Sequence, residues 1–342
     1  MADRHPCDGC TVGITDYIRP PADFESDAFP EAEFVFLPDW RTDESTRDQW
    51  RRCDALLTWH FPIKGPTLEL LDKCRIVVRY GVAYETVDVR GLDARGIPFC
   101  NTPDYGTEEV ADTACAMILA LQRKIIGYDR ACRTYGDQWQ EGLLKPIART
   151  NRCAVGVVGV GRIGTAVINR LRPFGFRLLG YDPYKPSGHE KAVGYERTDT
   201  LDELLRQADI VTLHCPLTDE TRSMIDARAL ALMKPGSSLV NAARGGVISG
   251  LDDVEQALRS GQLGSAAFDV LPSEPPADHP LIRAWRRDEE WLRGRLIINP
   301  HAAWYSEHGW YDMRYKAART ARLFLLEGRL RNHIPPGGER WY

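Results

Sequence analysis

A glycine-rich turn between two apolar segments constrains the fold of this chain more than any other feature. Residues 155–160 are rich in valine, as in a strand buried on both faces. Gly159, Gly161 and Gly164 follow with the spacing G-x-G-x-x-G, and residues 165–171 predict a helix with one apolar face. A second strand is predicted over residues 178–181 and ends at Asp182. Strand, glycine turn, helix, strand and acid, in this order, form a dinucleotide-binding βαβ unit.

Each residue type in this unit has a physical reason. Gly159 permits the tight turn, Gly161 lets a pyrophosphate approach the backbone, and Gly164 lets the helix pack closely on the strand. The helix N-terminus offers free N–H groups and a positive dipole end to phosphates. Asp182 can accept both ribose hydroxyls and would repel a 2′-phosphate, so the sequence predicts NAD (NADH) rather than NADP. The alternative interpretation is a glycine-rich turn without a ligand.

The length and composition exclude several classes of protein. A chain of 342 residues favours about two domains, and its apolar and charged fractions of 43% and 27% are ordinary for a globular protein. The net charge of −4 gives no reason to expect nucleic acid or an anionic membrane as a partner. No apolar run approaches about 20 residues, and the N-terminal residues lack the apolar core of a signal peptide. With nine scattered cysteines, which predict reduced thiols, we expect a cytoplasmic location.

One group near the N-terminus resembles a metal site in part. His5, Cys7 and Cys10 supply three potential zinc ligands. A structural zinc site uses four ligands, and the chain has no second Cys-x-x-Cys. We therefore predict no bound metal and an unliganded N-terminal segment.

Strands alternate with helices on both sides of the glycine turn, which predicts parallel sheets. In the first hundred residues, strands are predicted over 11–15, 34–37, 55–59, 75–80 and 97–100. Ligand groups are expected at the carboxyl ends of such strands, where Trp59, His60 and Arg79 lie. After Asp182, strands are predicted over 210–213, 239–242, 266–270 and 296–299.

Two helical segments and one irregular segment bear on the domain organisation. Residues 108–124 predict a buried helix, either a domain connector or a subunit interface. Residues 125–151 either form an arm that packs on a partner subunit or an excursion over the surface. Residues 314–327 predict a terminal helix that returns to the first domain.

Three residues at predicted strand ends have complementary chemistry. Hydride transfer to a carbonyl requires a proton donor, and His301 can supply one. A carboxylate such as Glu274 can orient the imidazole ring, and Arg244 can bind a substrate carboxylate through two parallel hydrogen bonds. A histidine that follows a proline in a loop is more often structural, so position alone leaves the role of His301 open.

Six motifs, in order over about residues 75–315, add a family resemblance. They are residues 158–163, Asp182, residues 213–218, 241–246, 268–275 and 300–306. Together they resemble the D-isomer-specific 2-hydroxyacid dehydrogenase family. Residues 300–307, Pro-His-Ala-Ala-Trp-Tyr-Ser-Glu, are similar to the branch of the C-terminal binding proteins (CtBP), which are NAD(H)-dependent transcriptional corepressors.

The resemblance implies a fold and a set of site residues. The fold is α/β, with two doubly wound parallel-sheet domains. A Rossmann NAD-binding domain with a dimerisation arm, residues 107–305, is inserted into a flavodoxin-like substrate domain, residues 1–106 and 306–342. The implied catalytic residues are Arg244, Glu274 and His301. The implied substrate-binding residues are Trp59, His60, Arg79, Gly81, Val82 and Trp304. The implied cofactor-binding residues are Gly106, Gly159, Gly161, Arg162, Ile163, Gly164, Asp182, Cys215, Pro216, Thr221, Ala242, Ala243 and Asp269.

Two functional hypotheses follow. The first is an NAD-dependent D-2-hydroxyacid dehydrogenase that acts as a 2-keto acid reductase, in a homodimer. The alternative is a CtBP-like, NAD(H)-sensing dimeric binding protein with incidental turnover. Aromatic residues, namely Trp59, Trp304, Tyr305, Trp310 and Tyr311, indicate an apolar, aromatic or thioether substrate side chain. For Trp310 and Tyr311, the alternative is that they only begin a packed terminal helix.

Overall fold

The fold was analysed in a computed structural model that describes residues 9–16, 18–133, 139–144 and 146–337. The strands are β1 Cys10–Ile14, β2 Ala32–Phe36, β3 Ala55–Thr58, β4 Ile76–Arg79, β5 Phe99–Cys100, β6 Ala154–Val158, β7 Arg177–Tyr181, β8 Glu196–Arg197, β9 Ile210–Leu213, β10 Ser237–Asn241, β11 Leu263–Phe268, β12 Leu296–Ile298 and β13 His333–Ile334. The α-helices are α1 Asp23–Ala28, α2 Glu44–Arg51, α3 Val89–Ala94, α4 Thr107–Gln122, α5 Ile125–Cys132, α6 Arg162–Leu171, α7 His189–Val193, α8 Leu201–Gln207, α9 Ala227–Leu232, α10 Leu251–Ser260, α11 Pro280–Arg286 and α12 Glu307–Glu327.

The chain divides into two compact units, and the first combines residues up to Gly106 with residues from Ser306 on. Its six-stranded sheet has the order β2-β1-β3-β4-β5-β13. All pairs are parallel except β5 with β13. The order 2-1-3-4-5 is that of flavodoxin-like sheets. Because β3 and β4 are buried along their whole length, their sequences are apolar without alternation.

The second unit comprises Thr107–Tyr305 and contains a seven-stranded parallel sheet. In the order β8-β7-β6-β9-β10-β11-β12, the chain starts at β6 and winds outward from it in both directions, as in a Rossmann fold. Every residue of β6 is buried, and a hydrophobic core packs on each side of the sheet. The carboxyl ends of β6, β7, β9, β10, β11 and β12 therefore meet at one edge. The predicted fold class, two parallel-sheet α/β domains, is confirmed.

Several element boundaries differ from those predicted. Helix α6 begins at Arg162 rather than at residue 165, so the glycine turn leads directly into the helix. The terminal helix α12 begins at Glu307 rather than at residue 314, since the Ser306 hydroxyl accepts a hydrogen bond from Gly309 N at 2.8 Å and caps its N-terminus. Trp310 and Tyr311 consequently lie within α12, as the alternative interpretation of these residues required. Gly65–Leu70 forms a 3₁₀ helix between β3 and β4.

Two expectations concern the cysteines and the N-terminal segment. The free cysteines of the described segments are Cys53, Cys74, Cys100, Cys115, Cys132, Cys153 and Cys215. Cys10 is disulfide-bonded, so the prediction of reduced thiols is wrong for this residue. His5 and Cys7 lie outside the described residues. Among the residues that the structure describes, no cluster of His, Cys, Asp or Glu could hold a metal ion. No described helix combines the length and apolarity required to cross a bilayer.

Candidate active site

Gly159 and Gly161 lie in the turn between β6 and α6, and Gly164 lies in the first turn of α6. The three glycines have different local constraints. Gly159 adopts a φ of +86°, and a Cβ at this position would lie 2.7 Å from Cys215 N. A Cβ on Gly164 would overlap Gly159 O. Both glycines are therefore required by the fold itself. In contrast, a Cβ on Gly161 would have no heavy atom within 4 Å, so only a ligand in this open space would require glycine there.

The carboxylate of Asp182, at the end of β7, is tied to the same turn. Its Oδ2 accepts a hydrogen bond from Val160 N at 2.9 Å, and its Oδ1 accepts one from Tyr184 N at 3.0 Å. The turn is also joined to β7 through the hydrogen bond from Gly159 N to Tyr181 O, at 2.9 Å. Each carboxylate oxygen retains a lone pair, so Asp182 is oriented by the backbone and can still accept further hydrogen bonds.

The loops after β9 and β10 provide other residues that the resemblance implies for the cofactor. After β9, Thr218 N donates to Thr221 Oγ1 at 2.8 Å, and Thr221 Oγ1 donates to Pro216 O at 2.6 Å, which fixes a compact turn. Cys215 is buried beside Gly159, and burial raises the pKa of its thiol to about 12, so the thiol remains protonated. Ala242 and Ala243 follow β10 and are both buried.

The predicted acid–base pair is present in this unit. His301 Nδ1 lies 2.7 Å from Glu274 Oε2, and Leu271 N donates to Glu274 Oε1 at 2.8 Å. Because a carboxylate only accepts, Nδ1 is the donor, and Nε2 is left for a substrate. Burial acts to raise the pKa of Glu274, but hydrogen bonds from His301 and Leu271 outweigh it. The pKa of Glu274 is lowered overall, so Glu274 is ionised near neutral pH.

Asp269 holds the loop that carries His301 through hydrogen bonds to its backbone. His301 adopts a φ of +55°, a left-handed conformation that is uncommon outside glycine. Its N–H donates to Asp269 O at 2.8 Å, and Asp269 Oδ1 accepts from Ala302 N and Ala303 N at 3.0 and 2.9 Å. The indole N–H of Trp304 donates to His301 O at 3.1 Å. Asp269 is thus a structural support of this loop, whereas its predicted contact with the cofactor stays a prediction.

Arg244, the third predicted catalytic residue, lies after β10 in the same unit. Its Nη1 donates to Ala243 O at 2.7 Å, and its positive charge contributes to the lowered pKa of Glu274. The side chain of Asn241, which is fully buried, holds this loop. Its Nδ2 donates to Arg244 O at 3.0 Å, and its Oδ1 accepts from Ala243 N at 3.0 Å. The sequence analysis missed Asn241, although a polar amide at the end of an apolar strand is a usable signal.

The predicted substrate-binding residues of the first unit lie at the carboxyl ends of β3 and β4, and Arg79 is the last residue of β4. Arg79 is 8% exposed, and its Nε donates to Trp59 O at 3.1 Å. Gly81 has a φ of +105°, and a Cβ there would lie 2.8 Å from Arg79 Nη1. The rings of Trp59 and His60 are stacked at 4.8 Å.

Two further contacts hold the segment of Trp59 and His60. The backbone N–H groups of these residues donate to the carboxylate of Asp16, at 2.7 and 3.0 Å. Trp310 of α12 also packs against Trp59, with ring centroids 5.4 Å apart. The sequence analysis missed Asp16, which carries a left-handed φ of +71°.

The remaining predicted residues of this unit have these positions. Val82 O accepts a hydrogen bond from Asn101 Nδ2 at 2.8 Å. Gly106 is the last residue before α4 and closes the first segment of this unit. The catalytic set and Trp304 therefore lie in one unit, and Trp59, His60, Arg79, Gly81, Val82 and Gly106 lie in the other.

Comparison with known proteins identifies the family. The sequence model described as "D-isomer specific 2-hydroxyacid dehydrogenase, NAD binding domain" matches residues 115–303, which is more than half of the chain. The chain belongs to the D-isomer-specific 2-hydroxyacid dehydrogenase family. The match covers most of the second unit, so this unit contains the NAD-binding domain of the family.

Two curated relatives are similar over most of this chain. The glyoxylate reductase of Korarchaeum cryptofilum is 35% identical over 288 residues, which are 83% of this chain and 82% of the relative. The C-terminal-binding protein 1 of Caenorhabditis elegans is 34% identical over 276 residues, which are 78% of this chain. The matched region spans only 36% of that longer relative.

Solved structures show the same fold. D-mandelate dehydrogenase from Rhodotorula graminis is 26% identical with a TM-score of 0.80, over 95% of this chain and 97% of that chain. D-lactate dehydrogenase from Aquifex aeolicus, complexed with NAD and lactic acid, has a TM-score of 0.80 at 24% identity, over 94% and 98% of the two chains. The latter similarity shows the fold alone.

The glycine turn fits the dinucleotide of this dehydrogenase family, and alanine variants test this fit. We expect Gly161→Ala to fold normally, because the added Cβ meets open space, and to weaken NADH binding by at least about tenfold, because the methyl group would displace the pyrophosphate. Gly250→Ala is the matched control: a Cβ there also meets open space, its φ of 173° is extended, and NADH affinity should not change.

The measurements are a fluorescence titration with NADH and a thermal unfolding curve for each variant. Gly164→Ala should instead lower thermal stability, since its Cβ would overlap Gly159 O. Unchanged NADH affinity in Gly161→Ala would place the pyrophosphate elsewhere.

Proposed function

We propose that this protein is an NAD-dependent D-2-hydroxyacid dehydrogenase that acts mainly as a 2-keto acid reductase. The observation that carries the proposal is the His301–Glu274 pair, at 2.7 Å, beside Arg244 at the strand edge of an NAD-binding domain. The second unit is the NAD-binding domain, and the first is the substrate domain. The cofactor lies along the glycine turn, Asp182 and the loops after β9 and β10.

In this mechanism, each catalytic residue has one task. Bound NADH supplies the hydride for C2 of the 2-oxo acid. His301 donates the Nε2 proton to the keto oxygen, and the imidazole becomes neutral. The ionised Glu274 accepts the hydrogen bond from Nδ1–H and so keeps the ring oriented. Arg244 binds the substrate carboxylate, because a guanidinium matches a carboxylate through two parallel hydrogen bonds.

The first unit contributes the remaining substrate contacts in this proposal. Arg79 and the backbone of Gly81 and Val82 are the proposed carboxylate contacts of this unit, and Trp59 and His60 are its proposed contacts with the substrate side chain. Asp16 supports this role, since its carboxylate holds the backbone of Trp59 and His60. An aromatic pocket favours a 2-oxo acid with an apolar, aromatic or thioether side chain.

A second candidate function is an NAD(H)-sensing dimeric binding protein. The 34% identity to the C-terminal-binding protein 1 of C. elegans favours it, and an intact acid–base pair is compatible with it.

A homodimer belongs to both proposals. Exposed apolar side chains of the second unit support it, since Ile125 is 54%, Trp139 60% and Phe174 48% exposed. The cytoplasmic location stays a prediction.

A kinetic screen separates the two candidates. The purified protein is assayed with NADH against glyoxylate, pyruvate, hydroxypyruvate, phenylpyruvate and 4-methylthio-2-oxobutyrate, by the loss of NADH absorbance. A turnover of about 1 per second or more on at least one acid is expected of an enzyme. NADH binding in a titration, combined with no turnover above background on any acid, would favour the binding protein.

A further inference from the structure

A side-chain contact joins the loop after β7 to the loop after β9 at the adenosine end of the proposed cofactor site. The hydroxyl of Tyr184, two residues after Asp182, donates a hydrogen bond to Glu220 Oε2. Glu220 lies within the compact turn that Thr218 and Thr221 fix by their hydrogen bonds. The position of the Glu220 carboxylate is therefore set from both sides, by its own turn and by the Tyr184 hydroxyl.

The electrostatic environment places Glu220 near Asp182. Burial raises the pKa of Tyr181, the last residue of β7, and the negative charges of Glu220 and Asp182 raise it further. The pKa of Tyr184 is raised chiefly by its hydrogen bond to Glu220, and the charges of Glu220 and Asp182 add to this effect. The same two carboxylates, one after β7 and one in the loop after β9, thus act on both tyrosines.

A second carboxylate in this position has a consequence for the cofactor. NAD and NADP differ only by the 2′-phosphate on the adenosine ribose, which carries about two negative charges at neutral pH. An acid at the end of the second strand of the unit already disfavours that phosphate. A second carboxylate at this end of the site adds a repulsion that NADH does not experience, and the repulsion weakens as salt screens it.

We propose that Glu220 is a second acidic determinant of cofactor choice, which acts with Asp182 against the 2′-phosphate of NADPH, and that Tyr184 holds it in position. The proposal rests on the proposed function in one respect, namely that NAD occupies the glycine turn. It requires no particular substrate. Since it concerns binding, it is tested without turnover.

The test compares dissociation constants for NADH and NADPH, measured by energy transfer from tryptophan to the bound nicotinamide. Glu220→Gln removes the charge and keeps an acceptor for Tyr184. We expect this variant to bind NADPH about three- to tenfold more tightly than the wild type, with NADH affinity changed less than about twofold. At high salt the gain should shrink, because the lost repulsion is electrostatic. Asp219→Asn is the matched control: it removes the same charge one residue earlier in the loop, and the ratio of the two affinities should not change.

Two further variants separate the alternatives. Tyr184→Phe keeps the ring but releases Glu220, and should give part of the gain in NADPH affinity. Asp182→Ser should also relax discrimination against NADPH, and it reports whether the adenosine lies here at all. If Asp182→Ser relaxes the discrimination while Glu220→Gln behaves like Asp219→Asn, Glu220 has no role in cofactor choice and the proposed function stands. If neither NADH nor NADPH binds the wild type, both the inference and the proposed function are wrong.

Discussion

Replacing His301 with asparagine is expected to lower kcat for 2-keto acid reduction by about 10²- to 10⁴-fold, the usual contribution of a positioned general acid. Asparagine keeps a polar side chain that can still meet Glu274, but it cannot deliver a proton. The effect should fall on kcat, since NADH binds along the glycine turn and the imidazole lies on the loop after β12. Steady-state kinetics with the best 2-oxo acid of the screen measure kcat, and an NADH titration measures the affinity for the cofactor.

Two comparisons make the His301 result interpretable. His308→Asn removes an exposed imidazole from α12, outside the acid–base pair, and should leave kcat unchanged. Glu274→Gln keeps the shape of the partner but removes the charge opposite Nδ1, so it should also lower kcat, by about 10-fold or more. A His301→Asn variant that retains wild-type kcat on a good substrate would show that another group donates the proton.

Replacing Arg314 with methionine is expected to lower the free energy of unfolding by about 3–5 kcal/mol, because it strands a buried carboxylate. Arg314 of α12 donates to both carboxylate oxygens of Glu25 in α1, from Nε at 2.7 Å and from Nη2 at 2.6 Å. The Glu25 side chain is fully buried and that of Arg314 is 8% exposed. Tyr80 also donates its hydroxyl to Glu25, at 2.9 Å.

The chain contains a matched control for this pair. Arg322, also in α12, forms an ion pair with Glu31, but the two side chains are 32% and 25% exposed. Arg322→Met should therefore cost less than about 1 kcal/mol. The double variant Glu25→Gln, Arg314→Met should recover much of the loss, since no uncompensated charge remains. Urea unfolding of the full chain measures all three. A loss below about 1 kcal/mol in Arg314→Met would mean that water or a protonated Glu25 replaces the pair.

The predicted boundaries were least accurate where local pattern and tertiary contacts disagree. The helix was predicted to begin at residue 165, because Gly164 interrupts the helical pattern of the sequence. In the structure it begins at Arg162, since the close approach of Gly164 to the turn fixes the first helical residues. The antiparallel strand β13 was missed, since it has only two residues and pairs with a strand more than two hundred residues earlier. A short edge strand leaves no periodic pattern in the sequence.

The sequence by itself determined the NAD-binding unit and predicted His301 and Glu274 as a pair. The glycine spacing, the apolar strands and Asp182 lie within one continuous segment, where each residue type follows from a local physical requirement. The motifs at Arg244, Glu274 and His301 indicated three candidate catalytic residues. The tertiary structure then showed that His301 and Glu274, 27 residues apart, meet at 2.7 Å.

Only the tertiary structure decided which distant residues support these sites. Asp16 meets Trp59 across 43 residues of chain, and Glu25 meets Arg314 across 289. The contact between Tyr184 and Glu220 likewise depends on how β7 and β9 flank β6. The physical reason is that a polar side chain has the same local pattern whether it faces water or a buried partner. Its role is fixed by the three-dimensional arrangement of strands that are distant in sequence.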